Sequence, residues 1–595
     1  MKKRVADILV DCLIENGITD CFSVVGGGAM HLNNAFVLRD EINKIYCHHE
    51  QACAMAAEGY ARASGKLAVV CVTSGPGGTN AINGVQGAYV DSIPMIVISG
   101  HPRQNTTVSA TGLNLRCRGV QENDIVHMVK KITKYAKFIT DVSTIRDEIK
   151  KAINIAMEGR RGPVWLDIPL DIQGALIDDI CVDTKMHEEK DVIDENDINE
   201  CIDMLQSAKC PCILTGSGIR TSNAIEQFRT FCDKIQIPIV GGALQADVCY
   251  NGQNMYYGMS GSMGPRVGNF ILQNADVILV LGNSLSFKQT GFNQELFAPN
   301  AKIIMVDIDR DESKKPGLRI EKFICAELKD FFDAICKRDV VIKAKDNWAS
   351  YCDMLMKRFN KFEALTLLDE IKNDDRVPVS LFWKEFMEQC KEDAIIALGN
   401  SSCVHGILQE GVNTSEQRVL VNYNCGSMGD DLPEAVGAAV AMNKEVVCIT
   451  GDGSVMMNIQ EFQTIKYNKL PVKTIIFSNN GYGAIRNTCS KFFAGTYTGC
   501  DENSGISFPE FEKVAIAFDL PFYKCKNVGE LSKSIEWLIN YNGACILEIE
   551  QCIDEIKAPR LESKMLEDGT FVTPALHDMS PFLSKSELEE LMFNE

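Results

Sequence analysis

Apolar and polar positions follow one recurring order along this chain: a short apolar run rich in β-branched residues, a glycine-rich turn, then a stretch with apolar residues at helical spacing. Such strand, turn and helix units, repeated, predict parallel sheets with helices on both faces. In the first third, "KLAVVCVTSGPGGTNAINGVQGAY" (66–89) reads strand, turn and helix, with a helix start placed at Asn80, and "SIPMIVISG" (92–100) and "RRGPVWLDIPLDI" (160–172) supply further strands. A second group holds "CPCILTGSGI" (210–219), "QIPIVGGAL" (236–244), "ADVILVLGNSL" (275–285) and "AKIIMVDIDRDE" (301–312). A third holds "DAIIALGN" (393–400), "EVVCITGDGS" (445–454), "VKTIIFSNN" (472–480) and "GACILEIEQ" (543–551).

The expected class is therefore α/β, with three doubly wound parallel-sheet domains. Their boundaries are set at 1–175, 190–335 and 376–558. The charged stretch "HEEKDVIDENDINE" (187–200) reads as a linker running into a helix, residues 336–375 as a helical connector with too little strand character for a sheet, and 559–595 as a polar tail packed over a surface or a neighbouring chain.

Composition narrows the function classes. A chain of 595 residues can bury a large core without metal or disulfide staples. A formal charge of −20 argues against nucleic acid or an anionic membrane as the main partner. The basic "MKKR" start leads into acidic residues rather than an apolar signal core, and no apolar run reaches the roughly 18 residues of a membrane span, so a soluble, cytoplasmic protein is expected. The 24 cysteines include no CxxC pair and read as reduced, buried small hydrophobes.

Candidate chemistry gathers at strand ends. Asp452 follows the strand "EVVCIT", and Asn479, 27 residues later, follows "VKTIIF", with the helix "VMMNIQEFQTIKY" between them. One strand–helix–strand unit thus brings both to the same sheet edge, where open parallel sheets bind ligands. A carboxylate oxygen, an amide oxygen and a nearby carbonyl form an oxygen-only set suited to magnesium, which keeps positions open for phosphate. Gly451 and Gly453 permit close backbone approach, and Ser454 opens the following helix, whose amides favour an anion.

The stretch from "GDGS" to "SNNGYG" resembles the thiamin diphosphate signature shared by thiamin-dependent 2-oxo acid enzymes. The resemblance implies magnesium held by Asp452, Asn479 and the carbonyl of Gly481; Ser478 stands where a first asparagine is usual. "YCHHEQACAMAAEGYARASGK" (46–66) is similar to the family segment bearing the glutamate that activates the aminopyrimidine, which implies that role for Glu50. His48 and His49 beside it read as structural. "TSGPGGTN" implies that Gly75, Pro76 and Asn80 wall the pyrimidine, and "CGSMGDDLPEAVGAAVA" (425–441) implies that Met428 props the cofactor into its bent shape. Asn400 and Ser401 stand where the family often has Gln-His on the diphosphate.

Over nearly its whole length the chain resembles the acetolactate synthase large, catalytic subunit. "GVQENDIVHMVKKITKYA" (119–136) places Gln121 at the position of an active-site glutamine, and the middle segment is similar to that group's flavin-bearing domain, although "SLSFKQTG" replaces its usual flavin contacts. The resemblance implies a carboligase for pyruvate or a similar 2-oxo acid, a role in branched-chain amino acid biosynthesis, FAD as a further candidate cofactor, and a homodimer or homotetramer whose sites form between subunits. Departures bear on the acceptor: Leu170 replaces a lysine, Val120 a phenylalanine, and Ala484 and Thr488 a methionine and a tryptophan. The tail "TPALHDMSPFLSKSELEELMF" resembles acetolactate-synthase-like proteins of surface-sugar pathways, which implies a bulky carbonyl acceptor. A decarboxylase, a pyruvate-oxidase-like enzyme and a non-catalytic thiamin-binding protein are the alternatives.

Overall fold

The computed structural model describes residues 2–179, 193–243, 246–359, 363–366, 375–553, 555, 557–565 and 570–593. Residues 187–192 of the linker stretch lie outside the described residues, and Asp194 caps the helix that follows by accepting from the Asn196 amide.

Three six-stranded sheets, parallel throughout, carry the fold. The first comprises β1 (Asp20–Ser23), β2 (Asn43–Tyr46), β3 (Val69–Val72), β4 (Ile96–His101), β5 (Tyr135–Phe138) and β6 (Val164–Pro169), in the order β2-β1-β3-β4-β6-β5. The central sheet comprises β7 (Pro211–Thr215), β8 (Ile239–Gly241), β9 (Tyr256–Met259), β10 (Val277–Leu281), β11 (Lys302–Asp307) and β12 (Ile320–Cys325), ordered β9-β8-β7-β10-β11-β12. The third comprises β13 (Ile395–Leu398), β14 (Arg418–Val421), β15 (Val446–Gly451), β16 (Val472–Ser478), β17 (Phe522–Cys525) and β18 (Cys545–Glu550), ordered β14-β13-β15-β16-β18-β17. The apolar runs of the central strands, such as β3, β7, β10 and β13, are buried from end to end, as parallel strands covered on both faces require.

The first and third sheets share one strand order. Each reverses direction between its first and third strands, and that is where a doubly wound sheet opens a ligand crevice.

The helix α1 (Glu50–Ser64) is capped by His49, whose Nδ1 accepts from the Gln51 amide, in line with the structural reading of that residue. Three expectations change. The helix α2 (Pro76–Val90) begins at Pro76, not Asn80, because proline presets the first helical turn and Asn80 then lies one turn inside. The run "VMMNIQEFQTIKY" is not one helix: a single turn, Asp452–Val455, is separated from Glu461–Asn468, and Asn458 between them donates its side-chain amide to Gly429 O instead of continuing the turn. The connector contributes a short strand after all, Ile342–Lys343, paired in parallel with Ile235–Gln236.

One apolar core runs from Phe22 and Val70 of the first sheet to Ile395 of the third sheet and Phe462 of the helix Glu461–Asn468. At its centre α1 crosses the helix α4 (Asp431–Met442), where α3 is Ser402–Glu410. A Cβ on Gly437 would lie 1.8 Å from Ala56 O, and one on Gly59 would lie 2.2 Å from Glu434 O, so glycine at both crossings lets the two backbones touch. Beside them the half-buried Arg62 reaches Asp91 at 2.6 Å and the buried Glu434 at 3.1 Å, and also binds the buried Glu58, which accepts from Asn422.

Burial raises both Glu58 and Glu434 above the ordinary carboxylate value near 4.5, to about 7 and about 8, with Arg62 pulling each back down. In this state they hold protons that the unfolded chain releases. Their contribution to stability is therefore full below pH about 4.5 and is lost as pH rises through the folded-state values. Thermal melting across pH 5–8 should show Glu434→Gln losing less stability toward the alkaline end than the parent protein; parallel profiles would mean that the seam does not titrate.

Candidate active site

Asp452 and Asn479 stand at the ends of neighbouring strands, β15 and β16, where Gly451 pairs with Phe477. Asp452 is buried, its Oδ1 accepting from the Gly453 amide at 2.8 Å and its Oδ2 from the Asn479 and Gly481 amides at 3.0 and 3.1 Å. Burial nonetheless pushes its carboxyl up to about 6, against the pull of those three amides. The ionised group is thus short of compensating charge, a deficit that a cation relieves.

The Asn479 side chain is fixed at both ends. Its Nδ2 donates to Gln551 Oε1 at 3.3 Å, and its Oδ1 accepts from Arg486 Nη2 at 3.2 Å. The same guanidinium reaches Asn479 O at 2.9 Å and Asn480 O at 3.3 Å, so positive charge already faces these oxygens. Gly481 takes φ +149°, and a Cβ there would lie 1.9 Å from Cys500 O. Asp452, Asn479 Oδ1 and the Gly481 carbonyl form a set of oxygen donors that suits a hard divalent cation. Among the described residues no group of three or more His, Cys, Asp or Glu side chains is arranged to hold a metal.

Across the strand-order reversal lies the turn after β13. Ser401 adopts φ +58°, and Asn400 Nδ2 donates to Ser427 O at 3.0 Å, tying this turn to the loop that carries the half-buried Met428. Ser454 Oγ donates to Asp431 Oδ2 at 2.7 Å and accepts from the Gly429 amide at 2.8 Å, so it locks the Met428 loop to the "GDGS" turn. Gly453 faces Tyr482, whose ring would lie 2.2 Å from a Cβ, while Gly451 meets nothing closer than 4.0 Å.

A second cluster forms in the first domain. Glu50, half-buried at the start of α1, accepts from Asn80 Nδ2 of α2 at 2.9 Å. Gly77 lies under its other oxygen, 3.5 Å from where a Cβ would stand. Gly75, at φ +64°, packs on Gln121, which is exposed and itself at φ +56°; Asn123 Nδ2 reaches Gly75 O at 3.3 Å. Pro76 is exposed beside them. Among the described residues no hydrogen bond or ion pair joins the Glu50 cluster to the Asp452 cluster within the chain. The acceptor-side departures, Val120, Ala484 and Thr488, are exposed; Thr488 Oγ1 donates to Ala484 O one turn back on the helix α5 (Gly483–Phe492).

Sequence reasoning missed Asp431, Arg486 and Gln551. Asp431 was visible as an acid in "GDDLPE", where the resembling pattern has small or apolar residues; Gln551 and Arg486 had only their places beyond strand ends as a signal.

A separate crevice of about 360 Å³ lies at the strand-order reversal of the central sheet, lined by Gly218, Gly282, Arg62, Arg160, Arg161 and Arg418. Nearby, in "SLSFKQTG", Lys288 Nζ lies 4.0 Å over the Tyr423 ring, and Gln289 bonds the Ala243 amide and Ser260 Oγ, each at 2.8 Å.

Family profiles for the thiamine pyrophosphate enzyme N-terminal TPP binding domain, central domain and C-terminal TPP binding domain match residues 3–128, 198–335 and 402–549. Acetolactate synthase 1, chloroplastic, of Oryza sativa subsp. japonica is 30% identical over 565 residues, covering 92% of this chain and 84% of its own. Acetolactate synthase isozyme 2 large subunit of Escherichia coli strain K12 is 29% identical over 562 residues, covering 93% and 96%. Acetolactate synthase 2, chloroplastic, of Nicotiana tabacum is 29% identical over 568 residues, covering 92% and 82%.

Removing the Asp452 carboxylate strips three amides of their acceptor. Asp452→Ala should lower unfolding stability by about 1–3 kcal/mol in denaturant titrations, with early proteolytic cleavage near residues 479–500. An unchanged midpoint would mean that those amides find water instead.

Proposed function

Because this chain belongs to the thiamine pyrophosphate enzyme family, with acetolactate synthase large subunits among its relatives, we propose that it is a magnesium- and thiamin-diphosphate-dependent carboligase. A 2-oxo acid such as pyruvate loses carbon dioxide, and its acyl carbon joins the carbonyl carbon of an acceptor. The observation that carries the reading is the pair of clusters: Glu50 with Asn80, and Asp452 with Asn479 and Gly481. Thiamin diphosphate, when bound, supplies the nucleophilic carbon and electron sink that decarboxylation of a 2-oxo acid requires.

Asp452, Asn479 Oδ1 and the Gly481 carbonyl would hold magnesium, and the Asn400–Ser401 turn would face the diphosphate. Met428, fixed through Ser427 and Gly429, would support the bend of the cofactor. Glu50 would exchange a proton with the aminopyrimidine ring; Asn80 orients its carboxylate, and Gly77 leaves room beside it. Gln121, held at a positive φ on Gly75, would meet the substrate. Exposed apolar residues, Val25 and Val120 on the first domain and Met456, Met457 and Ile485 on the third, support a dimer in which each cluster completes the other chain's site.

Short side chains at Ala484 and Thr488, and Leu170 in place of a cation, support an acceptor bulkier and less dependent on a carboxylate than a second pyruvate. Flavin adenine dinucleotide fits the central crevice in part. Arginines and strand-end glycines suit its diphosphate, but Lys288 and Gln289 are engaged with Tyr423, Ala243 and Ser260 and leave few donors for a flavin ring. The purified protein is thus expected to carry no flavin absorbance, and a stoichiometric yellow cofactor would overturn this reading.

Glu50→Gln should lower pyruvate consumption by about 10²- to 10⁴-fold while thiamin diphosphate still binds. NMR of labelled pyruvate with a panel of aldehyde and ketone acceptors should show a new carbon–carbon bond; acetaldehyde or acetate as the sole product would favour the decarboxylase or oxidase instead, and retained activity in Glu50→Gln would exclude the mechanism.

A further inference from the structure

We propose that Lys557, from the segment that follows the third sheet, is an additional ligand of the cofactor diphosphate and stands in for basic character that the turn after β13 lacks. This rests on the assignment of thiamin diphosphate to the Asp452 edge. Lys557 Nζ donates to Ser401 Oγ at 2.9 Å. Ser401 is held at φ +58°, a conformation that non-glycine residues adopt rarely.

One hydrogen-bonded row joins this turn to the cation site. Next to Ser401, Ser402 Oγ accepts from Gln551 Nε2 at 3.2 Å; Gln551 Oε1 accepts from Asn479 Nδ2 at 3.3 Å; the Asn479 amide binds Asp452 at 3.0 Å. Lys557 therefore lies on the strand-order reversal that the cofactor reading uses.

The segment is held in place from both sides. Glu555 accepts from the Val379 amide at 2.7 Å, the Ser380 amide at 3.1 Å and Ser380 Oγ at 3.0 Å; beyond Lys557, the Arg560 amide donates to Ser580 O at 3.0 Å and Arg560 O accepts from the Ser580 amide at 2.8 Å. Glu555 is thereby turned toward those amides, Arg560 pairs with Glu562, and Arg486 lies on carbonyl oxygens. Among the described residues no carboxylate forms an ion pair with the Lys557 ammonium, and burial lowers its pKa. An ammonium has three donors, of which Ser401 takes one. A lysine tethered over a ligand edge, short of a counter-ion and with donors to spare, is placed to receive an anion.

The resemblance puts Gln-His at Asn400 and Ser401. With two short side chains there, the space and the donor both pass to Lys557.

The test titrates thiamin diphosphate with excess Mg²⁺ into cofactor-depleted full-length protein, followed by tryptophan fluorescence, beside a parallel series with inorganic pyrophosphate. Lys557→Met should weaken both by about ten- to hundredfold, leave the pyruvate KM unchanged at saturating cofactor, and be partly rescued in Lys557→Arg. Lys557→Gln, checked for an unaltered melting midpoint, covers a folding failure of the methionine variant. Unchanged cofactor and pyrophosphate affinity, with Asp452→Ala abolishing binding, would overturn the role of Lys557 alone; a raised pyruvate KM at unchanged affinity would assign the ammonium to the substrate carboxylate and overturn it too. Binding that survives in Asp452→Ala would instead remove the cofactor reading beneath it.

Discussion

A carboxylate buried at the end of a strand, with three backbone amides converging on it, sets the geometry around it. To give those amides to Asp452, the chain beyond β16 must turn back through Asn480 at φ +58° and Gly481 at φ +149°. That turn lays Tyr482 over Gly453, brings Arg486 onto the Asn479 oxygens and leaves Asn479 within reach of Gln551. Hydrogen bonds do not cancel the burial, since the Asp452 carboxyl is still pushed up to about 6. The edge is thus short of positive charge, and the neighbouring oxygens are donors of the kind that the proposed magnesium would take.

A second buried ionic cluster joins the first and third domains. Arg62 links Glu58, Asp91 and Glu434 where α1 and α4 cross on paired glycines, so the two sheets share one core. The seam leaves Glu50 half-buried and Gln121 exposed. The Glu50 cluster thus keeps an open face, which a second chain could cover without disturbing the packing inside the first.

The three sheets were legible in the sequence because each strand is a short β-branched run bounded by glycine, and parallel strands buried on both faces show that pattern strongly. Asp452, Asn479 and Glu50 were legible because local motifs of fixed spacing carry them. Helix boundaries were not: Pro76 sets the start of α2, and Asn458 interrupts the run after Asp452 by bonding to Gly429, a residue 29 positions earlier. Gln551, Arg486 and Lys557 reach the site from beyond strand ends, and no local periodicity reports where such side chains fall. Asp431 was visible as an acid but not as the residue that holds Ser454 and Thr450 beneath the site.

The central claim is that this edge binds a diphosphate through a divalent cation. The most direct measurement is calorimetric titration of thiamin diphosphate into the full-length protein, with Mg²⁺ and again with the metal chelated. Saturable binding at one site per chain that collapses on chelation is the predicted result. Equal binding in both conditions, or none in either, would contradict the account.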